Sequence, residues 1–213
     1  MKPAALGAAF VLLCASCAGH SAALPFYRSS AMDPEWLSDR EATAPEMHRV
    51  APFRMVDQSG RIVTDRSLDG HVTVVQFFFT KCGDVCPVTT SNLARMLSQL
   101  GDDRRVQVLS YSVTPERDSV GALRAFAAMH GIADERWHLL TGTQGDVYRL
   151  AQDSYFVRLG DGATYGVRSI AHTESVVLVD GSGRLRGVYA GTLGLEMQRL
   201  AEDVLALERE DAR

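Results

Sequence analysis

Two cysteines, Cys82 and Cys86, have the clearest chemical potential in this chain of 213 residues. Three residues separate them, so on a helical turn both thiols share one face. Such a pair can form a disulfide or chelate a metal ion, and two thiolates favour a soft ion, Cu(I) or Zn(II), over hard cations. The other two cysteines, Cys14 and Cys17, lie in an apolar leader. An isolated close pair in the remaining chain indicates redox activity or metal binding rather than a structural disulfide framework.

A metal site would need at least one further ligand, and histidine is the natural candidate. Beyond the leader and tether the chain contains His48, His71, His130, His138 and His172. His172 stands out because it lies just before a predicted strand, in a loop that faces the cysteine turn of a thioredoxin-like sheet. His48 and His71 are predicted to be solvated near turns, and His130 and His138 to be structural. Structural zinc normally takes four protein ligands, so two thiolates and one imidazole favour Cu(I).

The elements around the cysteines explain how the pair would be presented. Residues 72–79 form a nearly continuous apolar run, which predicts a strand buried on both faces. A helix is predicted from about residue 89 to residue 100. The thiols therefore lie at the carboxyl end of a buried strand, the edge at which open α/β sheets bind ligands. The amino terminus of a helix also favours thiolate over thiol.

The rest of the chain alternates strands and helices. We predict a hairpin within residues 53–63, strands at 106–113 and 137–140, a helix capped by Asp118 or Ser119, a helix capped by Thr143 and ending near residue 152, a glycine-rich turn at 160–166, a hairpin of strands 175–179 and 184–189 around an Asp-Gly turn, and a final helix at 195–208. This order predicts a thioredoxin-like α/β fold, with a mixed sheet, helices on both faces and an N-terminal β-hairpin.

The amino terminus predicts export. One cation and an apolar segment make residues 1–16 a signal peptide, and the small residues before Cys17 resemble a lipoprotein cleavage box with Cys17 as the lipidated residue. Ordinary cleavage after Ala23 is the alternative. We assign residues 17–47 to a tether with a partly ordered arm and residues 48–213 to the thioredoxin-like domain. The net charge of −4 gives no electrostatic argument for nucleic-acid binding.

Several motifs resemble those of the Sco (SenC) family. They are the segments TKCGDVCP at 80–87, SVTPERD at 112–118 and WHLLTG at 137–142, His172 before its strand and Asp-Gly hairpin, and LPFY and PEW in the arm. The resemblance implies a thioredoxin-like fold that binds copper through Cys82, Cys86 and His172. It further implies delivery of copper to the dinuclear copper centre of cytochrome c oxidase, or reduction of that centre's cysteines. Gly83 and Thr114 depart from the pattern, standing where Pro and Asp are common.

Two functional hypotheses remain open at this stage. The first is a copper chaperone in the exported, periplasmic space, which passes Cu(I) to a partner such as the copper-bearing subunit of cytochrome c oxidase or another copper protein. The second is a thiol–disulfide oxidoreductase or redox sensor, in which Cys82 and Cys86 are the catalytic pair. A peroxidase is less favoured, because the segment Thr80-Lys81-Cys82 has the wrong spacing for a TxxC active site.

Overall fold

The computed structural model describes residues 23–157 and 174–211. In chain order the elements are α1 (Asp39–Ala42), β1 (Arg54–Asp57), β2 (Ile62–Thr64), a short 3-10 helix (Asp65–Leu68), β3 (Val72–Phe78), α2 (Val85–Gln99), β4 (Val106–Ser112), α3 (Val120–Met129), β5 (Trp137–Thr141), α4 (Gln144–Tyr155), β6 (Ser175–Val179), β7 (Leu185–Ala190) and α5 (Gly194–Asp211). The predicted glycine-rich turn at 160–166 lies outside the described residues.

The described strands form one mixed sheet in the order β2-β1-β5-β4-β3-β6-β7. β3 pairs in parallel with β4 and antiparallel with β6, and every residue of β3 is buried. This confirms the prediction of a strand covered on both faces. The two polar side chains of β3 are satisfied internally, since Gln76 donates to Ser110 Oγ at 2.8 Å and Thr73 Oγ1 accepts from Gln107 at 2.9 Å.

Alternate residues of β3 face two different apolar cores, as the two-residue period of a strand requires. Val74 and Phe78 lie in one core with apolar residues of α2, α3 and α5. Val75 and Phe77 lie in the other, with residues of α4 and of the N-terminal hairpin. Each large apolar side chain contributes roughly 1.5–3 kcal/mol by burial, so a one-residue slip of β3 would be strongly unfavourable. The predicted fold, a thioredoxin-like mixed sheet with helices on both faces, is confirmed.

Several local predictions are confirmed and two are corrected. Ser119 and Thr143 cap α3 and α4 by accepting hydrogen bonds from backbone N–H groups in the first turn. The helix after the cysteines begins at Val85 rather than near residue 89. Pro87 is tolerated in its first turn because proline lacks only the backbone N–H, and at that position the N–H would have no partner within the helix. α4 continues through Tyr155 and ends where Phe156 takes a left-handed conformation, with φ of 55°.

The arm that precedes the domain is anchored by a buried cation. Arg186 of β7 is 3% exposed and donates to the carbonyl oxygens of Leu24 and Pro25 and to Glu210 of α5. Its guanidinium also lies 4.1 Å from the centre of the Phe26 ring. Among the described residues, no helix combines the length and apolar character needed to cross a membrane.

Candidate metal and thiol site

Cys82 and Cys86 meet at the carboxyl end of β3, at the start of α2. Cys82 is half-buried in the turn, where its N–H donates to the Phe79 carbonyl at 3.2 Å. Cys86 is 5% exposed and lies in the first turn of α2. Both are free thiols. The structure therefore places the predicted pair together at the predicted edge, with one thiol reachable from solvent and the other enclosed.

The sulfur of Cys82 caps the helix. Asp84 occupies the N-cap position of α2, but its side chain accepts no capping hydrogen bond. Instead the N–H of Cys86 donates to Cys82 Sγ at 3.4 Å. The backbone N–H groups of a helix's first turn lack partners within the helix and carry partial positive charge. An electron-rich sulfur at this position, whether a thiolate or a metal-bound thiolate, is therefore stabilised by the helix.

Burial suppresses the ionisation of Cys86. Burial, followed by hydrogen bonding to Cys82, raises the pKa of Cys86 from its ordinary value of 9.0 to about 12. At neutral pH Cys86 is therefore a thiol, and Cys82 is the sulfur accessible to a reaction partner. A metal ion that binds both sulfurs must displace the Cys86 proton, since only the thiolate is a good ligand.

A buried carboxylate outside the predicted site residues lies next to this turn. Asp118, one of two predicted helix caps, leaves that role to Ser119 and is itself 1% exposed. It accepts hydrogen bonds from both the backbone N–H and the hydroxyl of Thr80, two residues before Cys82. The motif at residues 112–118 includes Asp118. The contact of Asp118 with Thr80, just after β3, joins residues that are 38 apart in the sequence, so no local pattern predicts it.

His172 lies outside the described residues, so its position as a ligand remains a prediction. The chain returns to the described structure at Glu174, just before β6. Because β6 runs antiparallel to β3, with Val176 opposite Gln76, the start of β6 lies at the carboxyl end of β3. Glu174 is thus at the same edge of the sheet as Cys82.

Glu174 is also joined to the helix that bears Cys86. Its carbonyl oxygen accepts from the N–H of Gly191 at 2.7 Å, and the carbonyl oxygen of Gly191 accepts from the Asn92 side chain of α2 at 2.8 Å. A Cβ atom on Gly191 would lie only 2.7 Å from the Thr89 side chain. The sequence gives no signal for these contacts, because Glu174, Gly191 and Asn92 come from distant segments of the chain.

The remaining histidines have partners of their own. His130 is the C-cap of α3, and His138 Nδ1 lies 3.2 Å from Asp57 Oδ2, so the two structural predictions are confirmed. The prediction that His48 is solvated is wrong, because its ring packs on Phe156 and its Nε2 lies 2.9 Å from the Ser154 carbonyl. Within residues 23–157 and 174–211, no three His, Cys, Asp or Glu side chains converge as metal ligands would.

Comparison with known proteins decides the family. The sequence profile of SCO1/SenC matches residues 41–207. The chain belongs to the SCO1/SenC family. A relative, the SCO1 protein homolog of Bacillus subtilis, is 29% identical over 164 residues, covering 75% of this chain and 83% of the relative.

Solved structures of Sco proteins share this fold. BsSco, a member of the Sco family of cytochrome c oxidase assembly proteins with a disulfide switch, is 28% identical over 76% of this chain and 94% of its own, with a TM-score of 0.67. Copper-bound ScoI of Bradyrhizobium japonicum is 28% identical over 75% of this chain and 99% of its own, with a TM-score of 0.60. The Sco resemblance predicted from the motifs is confirmed.

Proposed function

We propose that this protein is a copper chaperone that binds copper through Cys82, Cys86 and His172. The observation that supports the proposal most directly is that Cys82, Cys86 and Glu174 lie at the same edge of the sheet. His172 precedes Glu174 by two residues, a chain segment that spans at most about 7 Å. The donor set of two thiolates and one imidazole suits a soft ion such as Cu(I), and copper is bound in the related ScoI structure.

The recipient we propose is the dinuclear copper centre of cytochrome c oxidase. A ligand-exchange mechanism fits the unequal burial of the two sulfurs. Cys82, the half-buried thiol, is the sulfur that an incoming ligand of the partner can approach, whereas Cys86 is enclosed. The partner's thiolate would therefore replace Cys82 first, while Cys86 still holds the ion. The description of BsSco as a cytochrome c oxidase assembly protein supports this choice of partner.

An anaerobic titration of the reduced protein with Cu(I) tests the ligand set. We expect the parent to bind one ion per chain and His172→Ala to bind it at least tenfold more weakly. The matched control is His71→Ala, because His71 lies ahead of β3, at the opposite end of that strand from the cysteines, and its Nδ1 is 2.9 Å from the Asp69 carbonyl. Equal affinity of parent and His172→Ala would contradict the proposed site.

A second candidate function, thiol–disulfide exchange, is favoured by the same difference in burial. Cys82 would attack a partner disulfide as the thiolate, forming a mixed disulfide and releasing one partner thiolate. Cys86, once deprotonated, would then attack Cys82 Sγ, closing the Cys82–Cys86 bond and releasing the second partner thiolate. A Cys86→Ser variant should trap the mixed disulfide on Cys82. Failure to detect any adduct with a reducible partner would exclude this role.

We further propose that the chain is exported to the periplasm and anchored by a lipid on Cys17. The support is the apolar leader and the small residues before this cysteine. Metabolic labelling with a radioactive fatty acid should mark the parent but not Cys17→Ala. Labelling that persists in the variant would refute the anchor, and release of an unlabelled parent into the soluble periplasmic fraction would favour ordinary signal cleavage.

A further inference from the structure

Asp118 is a buried carboxylate held by neutral donors. Its Oδ2 accepts from the Thr80 N–H at 3.1 Å, the Ser112 hydroxyl at 2.6 Å and the Thr114 hydroxyl at 3.0 Å, and its Oδ1 accepts from the Thr80 hydroxyl at 2.5 Å. Burying a carboxylate is costly unless its oxygens are hydrogen-bonded. Four hydrogen bonds satisfy this carboxylate, and all four donors lie where β3 and β4 end.

These bonds connect the exits of two neighbouring strands. Ser112 ends β4, and the N–H of Val113 donates to the Phe78 carbonyl at the end of β3. Thr80 lies between that strand end and Cys82, whose own N–H donates to the Phe79 carbonyl. The contact between Asp118 and Thr80, which we call the clasp, therefore fixes the backbone from which Cys82 projects.

We propose that Asp118 is a positioning residue for Cys82. The clasp holds the reduced arrangement, in which Cys82 Sγ accepts from the N–H of Cys86. This inference depends on the proposed role of the two cysteines as the working groups, but it does not require copper or His172.

The clasp should stabilise the disulfide more than the dithiol. A Cys82–Cys86 bond would itself restrain the short loop between them, so ordering the turn in the clasp costs less conformational entropy in the oxidised form than in the reduced form. When the clasp is lost, the reduced loop gains more freedom than the oxidised loop. Loss of Asp118 should therefore shift the equilibrium toward the dithiol and make the pair easier to reduce.

The test is a glutathione equilibration of the full chain, in which two glutathione thiols give two electrons and two protons to the Cys82–Cys86 disulfide and become glutathione disulfide. Differential alkylation and peptide mass mapping report Cys82 and Cys86 separately from the leader cysteines. For Asp118→Asn we expect a shift of roughly 5- to 30-fold toward the dithiol, the range that the difference in ordering about one residue of backbone would give. Thr80→Val, which removes a single hydroxyl, should shift it in the same direction by a smaller factor.

Two further variants separate positioning from general destabilisation. Thr80→Ser keeps the hydroxyl and should restore the parent equilibrium. Asp57→Asn alters a carboxylate that is as buried as Asp118 but lies on β1, three strands from β3 and roughly 14 Å away by strand spacing. This variant should lower stability without moving the dithiol–disulfide equilibrium. A parent-like equilibrium in Asp118→Asn, or an equal shift in Asp57→Asn, would overturn the proposal. If Asp118→Asn does not fold, Thr80→Val and Thr80→Ser decide it. A failed copper titration of His172→Ala would leave this result intact.

Discussion

Replacing Gly191 with alanine should disturb the junction between the cysteine helix and the start of β6. An added Cβ would lie 2.7 Å from Thr89 Cγ2, 2.8 Å from Val176 Cγ2 and 3.0 Å from the Glu174 carbonyl oxygen. Contacts this short force the neighbours apart. All three are buried or backbone atoms, so none can swing into solvent to relieve the clash.

The expected cost is that of overpacking, about 1–3 kcal/mol of unfolding free energy. In a chain of this size each kcal/mol lowers the melting temperature by about 2–4 °C, so thermal unfolding should shift down by roughly 2–12 °C. The matched control is Gly145→Ala in the first turn of α4, where an added Cβ meets no atom within 4 Å. Alanine is the better helix former, so this control should be neutral or slightly stabilising.

Gly191→Ala should also weaken copper binding. The clash presses on Thr89, one turn after Cys86, and on Glu174, two residues after His172, so it moves the two sides of the proposed site apart. Titration with Cu(I) should show a lower affinity than in Gly145→Ala. A Gly191→Ala protein that melts at or above the parent temperature would refute the close packing described for this junction, whatever its copper affinity.

Three other predictions concern acidity and the arm. Burial raises the pKa of Cys86 to about 12, so alkylation of the native protein at pH 8 should modify Cys82 first. Peptide mapping should show Cys86 reacting far more slowly in the native protein than in the urea-unfolded chain. Equal alkylation rates of Cys86 in the two states would contradict its enclosure. Burial alone would raise the pKa of Asp57, but hydrogen bonds from Arg61 and His138 outweigh it and lower the pKa below 3.8. Asp57→Asn should therefore cost about 1–3 kcal/mol at pH 7. Urea melts should show this difference shrinking as pH falls below 3.8, because the unfolded chain then binds a proton at Asp57 more readily than the folded protein does. A pH-independent difference would exclude the ionic contribution. Arg186→Leu removes the anchor of the arm and should cost about 3–5 kcal/mol, with faster protease cleavage within residues 23–47; parent-like resistance would mean that the arm is held by other contacts.

The order of strands and helices could be predicted from the sequence because the signals that define each element lie within that element or next to it. The apolar run of β3, the caps Ser119 and Thr143 and the Asp-Gly turn at Asp180 each act within a few residues of themselves. The cysteine pair could be predicted for the same reason, since its spacing and its strand lie within one short stretch. His172 could be connected to the pair only through the predicted order of strands, and the family resemblance implied the same ligand.

The parts that sequence reasoning missed depend on distant contacts. From the sequence, Asp118 is indistinguishable from an ordinary helix cap, because the residue that it contacts, Thr80, is 38 residues away. His48 lies near a turn, which predicts a solvated side chain, and its contact with Ser154, 106 residues away, has no local signal. The start of α2 was misplaced because the turn residues before Pro87 carry no helix signal. There the cap is supplied by Cys82 Sγ, a sulfur that no capping pattern anticipates.

The anchored arm determines from which side the molecule is held. The Tyr27 N–H donates to the Leu185 carbonyl, and the Arg186 side chain donates to the Leu24 carbonyl. Both contacts lie at the start of β7. Ser175 lies opposite Ala190 at the other end of that strand, beside the thiols. A strand of six residues separates the two ends by about 20 Å. An attachment through the residues that precede the arm would therefore join the described structure at the end of β7 that lies away from the cysteines.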